Sequence, residues 1–240
     1  MSLSEQYAQE GEQVILVCHS LARNLFVTSQ GGNLAWKIEP EIILITPTQV
    51  NKAEIQVDDL VFINLEGKVL EGVRRPTGET PMYINFFRQR PDIISIIHSH
   101  PPAACAFAIR EGKNWLMRPL IPETTFEVGP VPVVPYAEPL TEALARQFDP
   151  FLPKYNSFLM ENHGLVTMSR GNISWTLGHM ELLEMTARSV VDGLSMGSIK
   201  ELSREAVRGL DKTLRTRNLP LPGAPGVNHC LEDLYFSDQP

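Results

Sequence analysis

No apolar run in this chain approaches the roughly 20 residues that a membrane span requires, so no membrane partner is expected. The opening residues, Met1 to Tyr7, hold neither a basic stretch nor an apolar core of the secretory type, and the cytoplasm is the expected location. Positive charge is scarce. Lys and Arg number 21 against 28 Asp and Glu, the net charge is −7, and no dense basic stripe offsets it, which excludes a nucleic-acid-binding role. Cysteine is scarcer still. Cys18, Cys105 and Cys230 are odd in number and widely spaced, so they form neither a disulfide framework nor a zinc knuckle and read as buried thiols. No internal repeat breaks the chain.

What remains is an ordinary globular composition over 240 residues, 43% apolar and 20% charged, enough for one large domain or two small ones. A single domain is expected over residues 1–218, followed by an extended tail over 219–240 in which prolines and glycines cluster. Residues 5 to 23 carry Tyr7, Val14, Val17 and Leu21 among polar positions, the pattern of an amphipathic helix with Ser4 as its N-cap. A strand is predicted over Glu41 to Ile45 and a hairpin over residues 59 to 73. Pro81 opens a helix ending near Gln89, which puts Glu79 at a helix N-terminus. Further predictions are a helix from Pro101, an edge strand over Val131 to Val134, a helix over Leu140 to Phe148, a hairpin pivoting on Asn162 to Gly164, and helices over residues 172–197 and 199–215.

The chemistry gathers around Ile93 to Pro102. Four isoleucines in a six-residue window read as a buried strand, and His98 and His100 sit two apart at its end. Side chains alternate along a strand, so both imidazoles point the same way, two-thirds of a three-histidine zinc site. Taken alone, the pair is equally well two surface histidines beside a turn. His163, at a hairpin end beside Gly164, is placed as a third ligand would be, whereas His179 on the long helix reads as a packing residue. Two segments suit an anion. Gly31-Gly32-Asn33 can bring backbone N–H groups close to a ligand, and Thr46 and Thr48 offer hydroxyls in a turn.

Together these residues resemble the class II aldolase/adducin family over about residues 5 to 195. Gly32-Asn33 is similar to the family's Gly-Asn, Thr46-Pro47-Thr48 to its Thr-Pro-Thr, and Thr77-Gly78-Glu79 stands in place of its Ser-Ser-Glu. His98, His100 and His163 match its metal triad. The resemblance implies an α/β fold, a three-layer α/β/α sandwich around a mostly antiparallel sheet, assembled as a homotetramer with sites between subunits. It implies zinc, or Mn2+ or Co2+ in its place, on the three histidines, with Glu79 as acid/base. It puts the substrate's phosphate against Gly32, Asn33, Thr48, Thr77 and Gly78.

The implied reaction is retro-aldol cleavage of a small, fuculose-1-phosphate-like ketose phosphate to dihydroxyacetone phosphate and an aldehyde, through an enediolate that a dication stabilises. Dehydration, epimerisation and decarboxylation are alternatives on the same site, and an adducin-like interaction module without catalysis is the reading from another class. Three departures bear on substrate. Gln49 replaces a glycine, Thr77-Gly78 replaces two serines, and Phe126 stands where an aldolase tyrosine serves the neighbouring subunit, with Tyr136 or Tyr235 as candidate stand-ins.

Overall fold

The computed structural model describes residues 1–236; the last four positions of the expected tail, 237–240, lie outside the described residues. Eight strands form one sheet: β1 (Asn33–Glu39), β2 (Ile42–Ile45), β3 (Val61–Ile63), β4 (Val69–Glu71), β5 (Ser95–Ser99), β6 (Val133–Val134), β7 (Ser157–Met160) and β8 (Gly164–Ser169). Their order is β4-β3-β2-β1-β5-β8-β7-β6, and every pairing is antiparallel except β6 with β7. The helices are α1 (Leu3–Gln6), α2 (Ala8–Arg23), α3 (Thr80–Gln89), α4 (Pro102–Ala108), α5 (Glu142–Gln147), α6 (Ile173–Met196), α7 (Arg204–Thr216) and α8 (Leu231–Tyr235).

Alternation along the strands builds two cores on the one sheet. Leu34, Trp36, Leu44, Phe62 and Ile97 pack on α2, α4 and α6. Ala35, Ile43, Ile45, Ile63, Ile96 and Phe158 pack on α3, α5, α7 and α8. This is the expected α/β/α sandwich around a mostly antiparallel sheet. β5 lies between β1 and β8, buried along its whole length, which is why its sequence reads as an almost unbroken apolar run.

Several boundaries differ from expectation for local reasons. The first helix breaks at Tyr7, because Ser2, not Ser4, is the cap: it shares a capping box with Glu5, and the Glu71 carboxylate accepts the Leu3 and Ser4 N–H groups. α5 starts at Glu142 because Leu140 adopts φ 66° and Thr141 caps the helix through Leu144 N. α7 starts at Arg204 on a Ser203 cap. β6 keeps only Val133 and Val134, at the sheet edge that the proline pattern anticipated. The segment after residue 218, expected to be extended, ends in α8, whose Leu231, Leu234 and Tyr235 are buried in the second core.

A polar cluster closes the sheet end away from the histidines. Arg90, 1% exposed, donates to both oxygens of Asp92, to the carbonyls of Leu152 and Tyr155, and to Asn156 Oδ1. Arg170 holds Asp92 from the other side and reaches the Leu221 and Gly223 carbonyls. Burial pushes the Asp92 carboxyl up, but the two guanidiniums outweigh it and hold the group below the ordinary carboxylate range. Arg90→Ala strands these acceptors in the interior, so a loss of about 3 kcal/mol or more in urea unfolding is expected. A loss under about 1 kcal/mol would contradict this account.

Candidate metal centre and its carboxylate

The central strand sets the first ligand. His98 sits opposite Asn33 of β1 and Val166 of β8, buried between them. Its Nδ1 lies 3.1 Å from the Leu165 carbonyl. A carbonyl accepts only, so Nδ1 carries the proton and Nε2 is left with its lone pair. His100 follows one residue beyond β5, its backbone N–H fixed by the Phe26 carbonyl at 2.7 Å. His163 arrives through the tight turn between β7 and β8, where Asn162 takes φ 54°, a left-handed conformation asparagine tolerates better than most residues.

The rings converge. His98 lies 4.9 Å from His100 and 4.8 Å from His163 between ring centroids, and one nitrogen from each falls within 4.8 Å of the others. Gly164 makes the room. A Cβ there would come 2.6 Å from His100 Cδ2 and 2.7 Å from the Ser99 carbonyl. His100 Nε2 and His163 Nδ1 are buried without a hydrogen-bond partner among the described residues. An orphaned buried nitrogen is costly unless something else binds it. Burial, with the His163 ring second, pulls His98 down to about 3; burial, with His98 second, pulls His100 down to about 4; and burial lowers His163. All three are therefore neutral imidazoles near pH 7, the protonation state of a metal ligand. The donor set fits a divalent ion of the zinc type.

Glu79 completes the group. It occupies the N-cap of α3, yet its side chain does not cap the helix. It is 4% exposed, with Oε2 3.6 Å from His98 Nε2 and Oε1 3.8 Å from His163 Nε2. Asn33 Nδ2 donates to Oε2 at 2.9 Å, and the buried Tyr83 hydroxyl fixes that amide by donating to Asn33 Oδ1 at 2.6 Å. Tyr83 carried no signal in the sequence; its place one turn after Glu79 on α3 was the available clue.

The anion segments lie beside this centre. Thr46 bonds to both main-chain groups of Leu34, Thr48 N donates to the Arg75 carbonyl, and Thr77 N donates to the Thr46 carbonyl. Thr48 and Thr77 thus flank the start of β1 with Gly32 and Asn33. Gly78 faces the side chain of Leu140. Gln49 takes φ 58°, the conformation a glycine would favour, so the substitution leaves the turn's backbone path open at a cost in strain. Phe126 is not near the triad. It borders a cavity of about 230 Å³ with Asn156, Ser169 and Arg170, at the opposite ends of β7 and β8. Tyr235 is buried and donates to the Thr125 carbonyl, while Tyr136 is exposed. His179 is buried on α6 against Trp175, away from the triad.

The sequence profile of the Class II Aldolase and Adducin N-terminal domain matches residues 12–191. The chain belongs to this family. A 3-oxo-tetronate 4-phosphate decarboxylase of Pectobacterium atrosepticum is 29% identical over 191 residues, covering 79% of this chain and 86% of that protein. A 5-deoxy-D-ribulose 1-phosphate aldolase of Bacillus thuringiensis is 27% identical over 206 residues, covering 85% and 94%. Among solved structures, YgbL of Klebsiella pneumoniae, described as a putative aldolase/epimerase/decarboxylase, superposes with a TM-score of 0.78 at 29% identity, covering 85% of this chain and 98% of that one. The relatives named here are an aldolase and a decarboxylase, and the family generally uses a divalent metal.

Gly164→Ala is expected to lose bound metal as completely as His98→Ala, because the added methyl must displace the His100 ring or the Ser99 backbone. Elemental analysis of the purified variants reads this directly; wild-type metal content in Gly164→Ala would mean that the rings have slack that this packing denies.

Proposed function

We propose that this chain is a divalent-metal lyase that breaks a carbon–carbon bond beside the carbonyl of a small ketose phosphate, releasing an aldehyde and dihydroxyacetone phosphate. The observation that carries the reading is the convergence of three neutral imidazoles, two with buried partnerless nitrogens, on one buried carboxylate. A zinc ion on His98, His100 and His163, or Mn2+ or Co2+ in its place, would supply Lewis-acid stabilisation for the oxygens of the enediolate. Glu79 moves the proton at the enediolate carbon, and Asn33 holds the carboxylate on one side of the site while it does so. Gly32, Asn33, Thr48, Thr77 and Gly78 receive the phosphate. An adducin-like role without catalysis leaves the orphaned nitrogens and the buried carboxylate unexplained.

We further assign the working form as a homotetramer with sites between subunits. Position 126, by resemblance a position serving an active site, borders residues at the far ends of β7 and β8. Five steps of ~3.3 Å from Gly164 to Ser169 put about 17 Å between the triad end of β8 and the end that the Phe126 cavity borders. On this proposal a residue at that end serves a neighbouring chain's triad, from a position where Phe126 itself is packed into the second core. The exposed apolar side chains of Trp175, Met185 and Val191 on α6 support a covered face.

A second reading is favoured by the same residue. Retro-aldol cleavage must take a proton from the hydroxyl that becomes the aldehyde, whereas a β-keto carboxylate expels CO2 with no proton to move. Phe126 has no group for that transfer, and the Pectobacterium relative is named as a decarboxylase.

The test is metal analysis with a substrate panel of ketose 1-phosphates and 3-oxo-tetronate 4-phosphate. Aldehyde release from a ketose phosphate supports the aldolase reading, CO2 release the second, and neither from a metal-loaded protein would sink both. Glu79→Gln is expected to keep its metal and lose about 10²-fold or more in turnover; undiminished turnover would remove Glu79 from the mechanism.

A further inference from the structure

Lys52 has no role in either core or in the chemistry above. It is 1% exposed, and its Nζ donates to a single acceptor, the Val50 carbonyl at 3.1 Å. An ammonium carries three N–H groups, so two find no acceptor among the described residues. Its one ionisable neighbour among the described residues is the Cys18 thiol on α2. Burial pushes that thiol up to about 12, so it stays protonated and offers no counter-charge. An unpaired buried cation is among the costliest groups a fold can hold. Burial accordingly lowers the pKa of Lys52. If only volume mattered here, a methionine would fill it at lower cost.

Its position suggests what offsets that cost. The Lys52 backbone N–H donates to the Ser29 carbonyl at 3.1 Å, while its ammonium holds Val50. The residue therefore fastens the loop before β1 to the turn after β2. These two segments leave the backbone N–H groups of Gly32 and Gln49 without an acceptor among the described residues. Both residues are held in the left-handed region, at φ 66° and 58°. The β1–β2 pairing, Ala35 opposite Ile45, is carried one residue further by Leu34 and Thr46, which sets the loop before β1 against the turn after β2. Gly32 cannot be larger, because a Cβ would lie 2.5 Å from Val27 Cγ1. Free N–H groups from two strained residues on adjoining segments make an anion cradle. Val50 directly follows Gln49, and consecutive Cα atoms are about 3.8 Å apart, so with Nζ on the Val50 carbonyl the ammonium stands within about 11 Å of the Gln49 N–H.

We propose that Lys52 is the buried cation behind this cradle, setting its preference for a dianionic phosphate through its field and its grip on both segments without touching the ligand. The inference rests on the phosphorylated-substrate reading and deepens it. Lys52 is a positioning and specificity residue, and its neutralisation should move anion affinity without moving metal.

The probe is inorganic phosphate, titrated calorimetrically and by thermal shift against chloride at matched ionic strength. The proteins are wild type, Lys52→Met, Lys52→Arg and His98→Ala. Lys52→Met is expected to fold with wild-type metal content, to melt no lower than wild type without phosphate, and to bind phosphate at least tenfold more weakly. Lys52→Arg, which keeps the charge, should retain more of the affinity than Lys52→Met. Phosphate binding that survives in Lys52→Met but disappears in His98→Ala would place the anion on the metal and overturn the proposal. So would equal phosphate affinity in Lys52→Met and wild type, or a Lys52→Met variant that melts well below wild type without phosphate. Wild type that binds no phosphate brings down the phosphorylated-substrate reading together with this one, whereas equal binding by both brings down this one alone.

Discussion

Everything near the centre of this molecule follows from one constraint: three imidazoles, one buried and two half-buried, must stay neutral and partly unpartnered around a single point. Each orphaned nitrogen costs about 1–3 kcal/mol while nothing binds it. The fold carries that cost because His98 lies on the strand that both cores share. β5 is covered by α6 on one face and α3 on the other, so the ring is held by packing and by its bond to Leu165, with the Glu79 carboxylate 3.6 Å from Nε2. The glycine beside His163 is part of the same constraint, since only a bare Cα lets the rings of His98 and His100 come down over the β7–β8 turn.

The carboxylate is positioned from a different layer. Glu79 belongs to a helix packed on the sheet's second face, and the histidines to the sheet and a hairpin turn. Asn33 joins them. Its backbone pairs with His98 across β1 and β5, its Nδ2 holds Glu79, and its Oδ1 receives Tyr83 from the same helix as Glu79. Because Tyr83 fixes which end of the amide faces which partner, a donor meets the carboxylate. The distance between base and ligands is thus set by a sheet register and one helical turn, both more rigid than a loop.

The parts legible in the sequence were those with local chemistry. The isoleucine run announced a strand buried on both sides, His98 and His100 announced their shared direction, and Pro81 announced α3 with Glu79 at its head. The division of the first helix at Tyr7 was hidden because the deciding acceptor, Glu71, is 68 residues from Leu3. Long-range acceptors have no local pattern. α8 was hidden for a related reason: prolines and glycines before it read as an unstructured tail, and only the second core explains why Leu231 and Leu234 turn inward. Lys52 was invisible in another way, since a lone lysine in a polar turn reads as solvated, and its burial depends on segments 29 and 18 closing over it.

The site divides by origin. The triad, the carboxylate and the anion segments all lie at one end of a single sheet, where β5 ends and β1 and β8 begin, so on the proposed function one chain supplies the groups for making an enediolate beside a phosphate. On the proposed tetramer, what leaves is governed by position 126, packed beside the far ends of β7 and β8, about 17 Å along the sheet from its own triad. Loss of CO2 and loss of an aldehyde leave the same electron pair on the same carbon, so the two proposed reactions share the centre and part only at the group that takes the hydroxyl proton. On the proposed reading a change of reaction lies with position 126, packed in the second core beside the far ends of β7 and β8, while His98, Glu79 and Asn33 stay fixed at the other end.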